Sequence, residues 1–478
     1  MMKKLYLLLF LAFCFIINNL HSSEGTPSDS LKKEKWKDFF SLKDSESVRS
    51  LSKITTSQDE VLASRSRWGL SLSGFIGFDL FWDTRQMTEA RDGTICFYPK
   101  DILEDVRGMD INAHPSFNFA VMNTRLTVRI QAPDALKAKV SGMIEGWFMG
   151  ASNNGMNEFA LRHAFIKLDW KSTSLLLGQT WHPLFTERCF AETVAASTGA
   201  PFQPFARSPQ IRLNQKFAKY SNLLLYLNGQ RDYLSTGPNN ASSEYLRNSA
   251  IPEAGIQYIV DYKKTEDEKM VHSCYSGIGF NYKYLTPRIV TEDGVYTKAG
   301  FSSGSILLFT HFAQVVSPEV TWGIKAKGGL FQACNEYLLL GGYAVHYYGT
   351  SVPNGYADYQ YTPVNTVAAW FDFYTRIRSW EVGIFAGYSQ NLGTLKTVQW
   401  ENDPASYYGR SLNMAYLYRV STRVKYSANK LQFSFEPEYT AACYGDTFTS
   451  HGKVDLKKSG NTRLIHGVRF LVSATLFF

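Results

Sequence analysis

Basic residues recur in this sequence at steps of two and four: Arg125 and Arg129, Lys325 and Lys327, Arg376 and Arg378, Arg419 and Arg423. In an extended chain, positions two apart share a face, so each pair points the same way. Arg212 lies likewise between apolar residues, and Glu436 and Glu438 form an acidic pair of the same kind. A face of guanidinium and ammonium groups beside a low-dielectric wall attracts small anions and slows cations. Over all the segments that alternate in this way, bases on the polar face outnumber acids about two to one, too large a surplus for pairing with wall carboxylates to cancel. The chemistry implied is selection by charge.

Other chemistries find little support. The nine histidines are scattered, and none falls where alternation would set a nucleophile, a base and an orienting group at one rim, as a barrel hydrolase requires. His163, His311 and His466 read as polar wall residues. No phosphate-binding glycine loop, metal-ligand cluster or nucleic-acid motif occurs, so no cofactor, no metal and no nucleic-acid partner is expected. The net charge of +8 is assigned to lining. Five cysteines remain beyond Cys14, namely Cys96, Cys189, Cys274, Cys334 and Cys443. An odd number at wide spacing supports neither a disulfide framework nor a zinc site, although one or two loop bridges stay open.

The elements that must carry the charges are visible at the chain's end, HGVRFLVSATLFF. Phe478, Leu476, Ala474, Val472, Phe470 and Val468 make one apolar face, and the intervening residues are mostly small or polar. About 16 such segments are predicted, at 68–82, 117–131, 136–149, 159–170, 173–180, 209–217, 222–230, 254–263, 274–285, 302–316, 319–333, 365–378, 380–391, 412–427, 430–443 and 464–478. Their connections alternate between short and long, which places all the long loops at one end of an up-and-down sheet and both ends of that sheet at the other. One turn, 264–273, is longer than its short neighbours.

Several predicted strands run about 12–16 residues, beyond the ≈ 5–6 usual in soluble proteins and enough for the ≈ 9–11 that a tilted membrane strand needs. Trp82, Tyr416 and Tyr426 tip the apolar face, as an interfacial girdle would. A β protein in a bilayer must close so that every backbone group is paired. The predicted fold is therefore an all-β, transmembrane, antiparallel up-and-down barrel of about 16 strands over 68–478, wide enough for water. No apolar run reaches the ~18 residues of a membrane helix. Residues 1–23 read as a signal peptide, with Lys3 and Lys4 before the apolar stretch Leu5 to Ile17, and 24–67 as a polar periplasmic extension. The third long loop, 181–208, has the composition to fold inward: apolar residues and prolines for packing, and Glu187, Arg188, Glu192 and Arg207 to face a constriction. The other long loops read as extracellular.

The stretches LRHAFIKLDW, LLLGQTWHPLF and PFARSPQIRLNQKF, within 161–217, resemble the DcaP-like porins of Gram-negative outer membranes. The GQTW turn before a long loop and the RSPQIR re-entry after it carry the resemblance. It implies a 16-stranded homotrimer, set in outer-membrane lipid and lipopolysaccharide, that passes small and often anionic solutes. That family also tends to carry an N-terminal coiled coil, and 24–67 show no heptads. Gly74, Ala138, Gly142 and Gly146 are small outward positions that would suit close subunit packing. Two further readings stay open: a substrate-specific transporter occluded by 24–67, and a barrel hydrolase.

Overall fold

The computed structural model describes residues 68–478 apart from 151–152, 267–268, 350–357, 399–406 and 459. The expected leader 1–23 and extension 24–67 lie outside the described residues.

Alternation sets the two faces of the wall. In the first strand, Gly69–Asp83, the side chains of Asp79, Phe81 and Asp83 are buried, whereas Leu70 is 74% and Leu72 65% exposed. In the last, Thr462–Phe477, Arg469, Leu471 and Ser473 are buried, and Leu464, His466 and Leu476 face outward. Between them the wall continues as Ser116–Ala120 with Arg125–Ala135, Ala138–Trp147, Ala160–Asp169, Thr173–Trp181, Arg207–Lys216, Ser221–Asn228 and Glu253–Glu266. It goes on through Lys269–Leu285, Phe301–Ser317, Val320–Gln332, Asp358–Ile377, Trp380–Thr394, Met414–Ala428 and Leu431–Gly445.

Each strand is antiparallel to the next. The first pairs with the last from Phe75 opposite Phe477 to Asp83 opposite Arg469, so the sheet closes as a 16-stranded barrel. Every predicted strand is present. The long turn expected at 264–273 is not, because the strands run on to Glu266 and resume at Lys269. A closed barrel with an apolar outside and no open edge is the architecture of outer-membrane proteins. An outward aromatic series, Tyr220, Tyr262, His272, Phe312, Trp322 and Phe373, runs near the short-turn end with neighbouring ring centroids 4.9–6.4 Å apart.

Two irregularities re-aim side chains. The second strand breaks at 121–124, where one extra residue is inserted opposite the first strand: Asp79 faces Ala120, but Phe75 faces Arg125. The carbonyl of Asn123 then sits over Gly77, where a Cβ would lie 2.5 Å from it, so only glycine fits. A bulge between Glu145 and Gly146 shifts the register against the fourth strand and turns both Arg162 and His163 inward.

Inside the wall lies a second layer that alternation does not announce. Loop 181–208 packs against the inner face of the wall. So does a hairpin from the first long loop, Met87–Ala90 with Ile95–Pro99. Ile95, Phe97 and Tyr98 of the hairpin share one buried cluster with Leu184, Phe185, Phe202 and Phe205 of the third loop, Tyr337 to Leu340 of the sixth long loop, and Trp147, Trp181, Trp370 and Phe385 of the wall. Trp181 stacks on Phe185 with centroids 4.0 Å apart. The expectation that the other long loops are extracellular is therefore corrected for parts of the first and the sixth: Ile95, Phe97 and Tyr98 of the one and Tyr337 to Leu340 of the other are buried in the lumen.

Candidate functional site

The third loop leaves the wall at Trp181 and returns at Arg207, and the GQTW and RSPQIR stretches build its root. Gln210 donates from Nε2 to the carbonyls of Thr180, Trp181 and Ser208, each at 3.1 Å. Arg212 reaches the Trp181 carbonyl at 2.6 Å and lies 3.6 Å from Glu187. Arg207 pairs with Asp232 at 2.8 Å and Arg162 with Glu145 at 2.8 Å, and both guanidinium groups lie over the Trp147 ring at 4.4 and 4.1 Å. Such stacking suits arginine, whose planar charge is weakly hydrated. His182 caps the turn Pro183–Phe185: its Nδ1 accepts the Leu184 N–H at 3.1 Å, and its Nε2 faces Glu253, which also accepts from Tyr337 at 2.8 Å.

The tip of the loop reaches the far wall. Glu192 accepts from Lys325 and from Arg376, each at 2.7 Å, its backbone N–H meets Asp372 at 2.9 Å, and its carbonyl takes Lys425 at 2.7 Å. Behind it, Arg376 also holds Glu381 at 2.8 Å, and Lys425 lies 3.1 Å from the same carboxylate. Glu436 accepts the N–H groups of Val194 and Ala195 and the Ser421 hydroxyl. Glu438 lies 3.5 Å from Arg419. Lys327 donates to the Phe185 carbonyl and to Gln203, with no carboxylate partner among the described residues. Burial alone would raise the Glu192 carboxyl, but Arg376 and Lys325 outweigh it and hold the group well below the usual carboxylate range. At the root the balance reverses: burial pushes Glu187 up despite Arg212.

The structure thus brings Lys325, Lys327, Arg376, Arg419, Arg423, Glu436 and Glu438 onto one inner wall, beneath the third loop. All but Arg376 are nearly inaccessible. Arg125, Arg129, Arg188 and Arg212 stay partly accessible. Arg125 stacks over Phe75 at 4.8 Å and lies 3.5 Å from Glu145, Arg129 meets Ser73, and Arg188 pairs with Asp261. Arg378 is a correction. It sits in the tight turn before Trp380 with φ of 52°, exposed and paired with Glu319 at 2.8 Å, because the strand ends at Ile377 and alternation ends with it. His311 is an inner-wall residue, 3.0 Å from the Tyr374 hydroxyl, whereas His466 faces outward against Tyr439.

Sequence reasoning missed Arg162, whose parity assigns it to the outer face until the bulge is known, and it missed the hairpin at 87–99. The apolar run ICFYP, preceded by Asp92, Gly93 and Thr94 and followed by Lys100, was the available signal for a buried strand. All five described cysteines are free thiols, so the loop bridges left open do not form. No group of three or more potential metal ligands occurs among the described residues.

Neither a protein-family model nor a curated protein matches the sequence. Among solved structures, the chain is similar to the outer membrane channel DcaP of Acinetobacter baumannii, with a TM-score of 0.56 and 15% identity over 86% of this chain and 97% of that one. Weaker likenesses are to an anion-selective porin from Comamonas acidovorans, with a TM-score of 0.47, 8% identity and coverage of 86% and 100%, and to OprB of Pseudomonas putida, with a TM-score of 0.46, 8% identity and coverage of 89% and 97%. At such identity the likeness is one of fold, and the fold is the one the 161–217 stretches anticipated: a closed 16-stranded barrel like that of the porins.

Proposed function

We propose that this protein is an outer-membrane channel for passive diffusion of small hydrophilic solutes, with a preference for anions. One observation carries the reading. The inner-wall and loop charges that remain accessible include Arg125, Arg129, Lys139, Lys167, Arg188 and Arg212 against Asp169, Glu187 and Asp261, while most of the opposite wall's charges are paired and covered by the loop. A solute passing the loop meets the basic side. Similarity to a protein described as an outer membrane channel supports the transport class. Planar-bilayer recording across a KCl gradient tests both parts. An anionic reversal potential is expected; a cationic one removes the preference, and the absence of any conductance removes the channel.

A second reading, a substrate-specific transporter, is favoured by the apolar cluster that fills part of the lumen. Currents that saturate with one solute and not with others would select it.

The proposed homotrimer rests on the family resemblance. Three of the small positions expected to admit a neighbour serve the chain itself: a Cβ at Gly146 would meet Phe159 at 2.3 Å, one at Gly74 would meet the Arg125 carbonyl at 2.2 Å, and Ala138 is buried. A heat-modifiable, SDS-resistant trimer in an outer-membrane fraction is the expected observation. Outer-membrane lipid and lipopolysaccharide are its proposed surroundings.

A further inference from the structure

The inward hairpin has an unusual mode of attachment. Its outer strand, Ile95–Pro99, pairs on one side only, with Met87–Ala90. Carbonyls of the hairpin meet side-chain donors from the barrel wall. Arg469 donates to Gly93, Arg419 to Cys96 at 3.2 Å and to Phe97 at 2.7 Å, and Tyr444 to Pro99 at 2.7 Å. Three wall side chains thus hold the hairpin through its backbone.

Arg419 does more than hold the hairpin. Its other terminal nitrogen points to the carbonyl of Ala200 in the third loop, at 3.4 Å, and its guanidinium lies 5.7 Å from the Phe202 ring. Its Nε is fixed by the Thr440 hydroxyl at 2.9 Å, and Glu438 lies 3.5 Å away. One rigid fork of five N–H donors therefore joins two loops that start far apart in the chain, and anchors both to the fourteenth and fifteenth strands.

We propose that the 87–99 hairpin and the 181–208 loop form one jointed constriction, and that Arg419 is the positioning residue that sets it. This rests on the channel reading, since a constriction matters only where solute passes. The geometry has a consequence that ordinary core packing lacks: loss of one side chain should loosen two separate loops together. Lysine, with a compact charge and no fork, cannot reach both loops at once.

The test uses the full chain with R419Q and R419K, read by amide exchange and by single-channel recording. Exchange protection is expected to fall about tenfold or more in residues 93–99 and 198–203 together, as for loss of hydrogen bonds to a charged group. Conductance should rise, and the barrel should still show its heat-modifiable shift. R419K should show the same joint loss although the charge is kept. Loosening confined to one loop overturns the joint, and joint loosening with unchanged conductance overturns the role in the constriction. Should R419Q not fold, T440V removes only the oxygen that orients Nε, and a weaker joint loss is expected. A wild type without conductance sinks the channel reading alone, because the exchange measurement still decides whether the two loops are coupled.

Discussion

Arg423 grips Asp372 with both arms of its guanidinium, Nη1 to Oδ2 at 2.9 Å and Nη2 to Oδ1 at 2.8 Å, and the same Oδ2 receives the backbone N–H of Glu192 at the tip of the third loop. This buried bidentate ion pair of the wall is thus also a docking point for the loop. A bidentate arginine–carboxylate contact is directional as well as charged, which fixes where the loop can rest.

Breaking that pair should cost far more than replacing it. D372A leaves Arg423 buried beside Glu381 alone and should destabilise the barrel by about 3–5 kcal/mol, whereas the double change D372L/R423M should cost much less, since neither charge is then stranded. Shifts in the unfolding midpoint of the purified protein check this. Equal losses in the two variants would show that the pair stabilises by itself.

The loop should not loosen in mild acid. The Glu192 carboxyl lies below the ordinary range, so its contribution is complete above the unfolded-state value and is lost as pH falls through the lower folded value. Glu187, raised by burial, opposes the folded loop when ionised, so acidification first relieves it. Between neutral pH and the ordinary carboxylate range, proteolytic resistance of the loop should therefore hold or rise slightly, and it should fall only in stronger acid. An early loss of resistance just below neutral pH contradicts this assignment.

E192Q removes the charge that Lys325 and Arg376 share, leaving the two cations with one fewer anion. The tip should detach more often, giving a noisier and larger conductance, and the reversal potential should move further toward anions. Currents identical to wild type would mean that the tip does not border the path.

The accessible arginines carry selectivity in the proposed reading. Changing Arg125, Arg129 and Arg212 together to glutamine should shift the reversal potential toward zero while conductance stays of similar size. The same triple change on the sealed side, in Lys325, Arg419 and Arg423, should instead damage the loop and the fold.

The thiols offer a simple check on burial. Cys96, Cys189 and Cys334 are enclosed by the inward loops, and none of the five described cysteines is paired. Aqueous maleimide should leave these three unlabelled in the native barrel and label all of them after denaturation without reductant. A mass two daltons low per pair would reveal a bridge.

The wall was almost entirely legible, for a physical reason. Lipid on one side and polar groups on the other impose a period of two over long strands, and Phe470, Val472 and Leu476 display it without interruption. The interior was legible only where it followed the wall. Arg423 and Glu436 are inward because their neighbours are outward. Arg162 escaped because a bulge breaks the count, and Arg378 was misassigned because a strand ends one residue earlier. The hairpin at 87–99 escaped because it meets the wall's side chains through its own backbone carbonyls, which every residue possesses and no sequence advertises. That the wall charges would mostly be paired and covered was equally hidden, since it depends on where a loop comes to rest.

The seam between the first and last strands has a bearing on biogenesis. Asp83 and Arg469 join there, 386 residues apart, through two short contacts. Contacts so remote in sequence form late and slowly. Until the final strand arrives, the opening strand presents a bare ribbon margin able to recruit any other extended chain. A nascent polypeptide of this design must therefore be escorted until its tail has been delivered, and losing even the last few residues should convert a sealed vessel into an adhesive sheet.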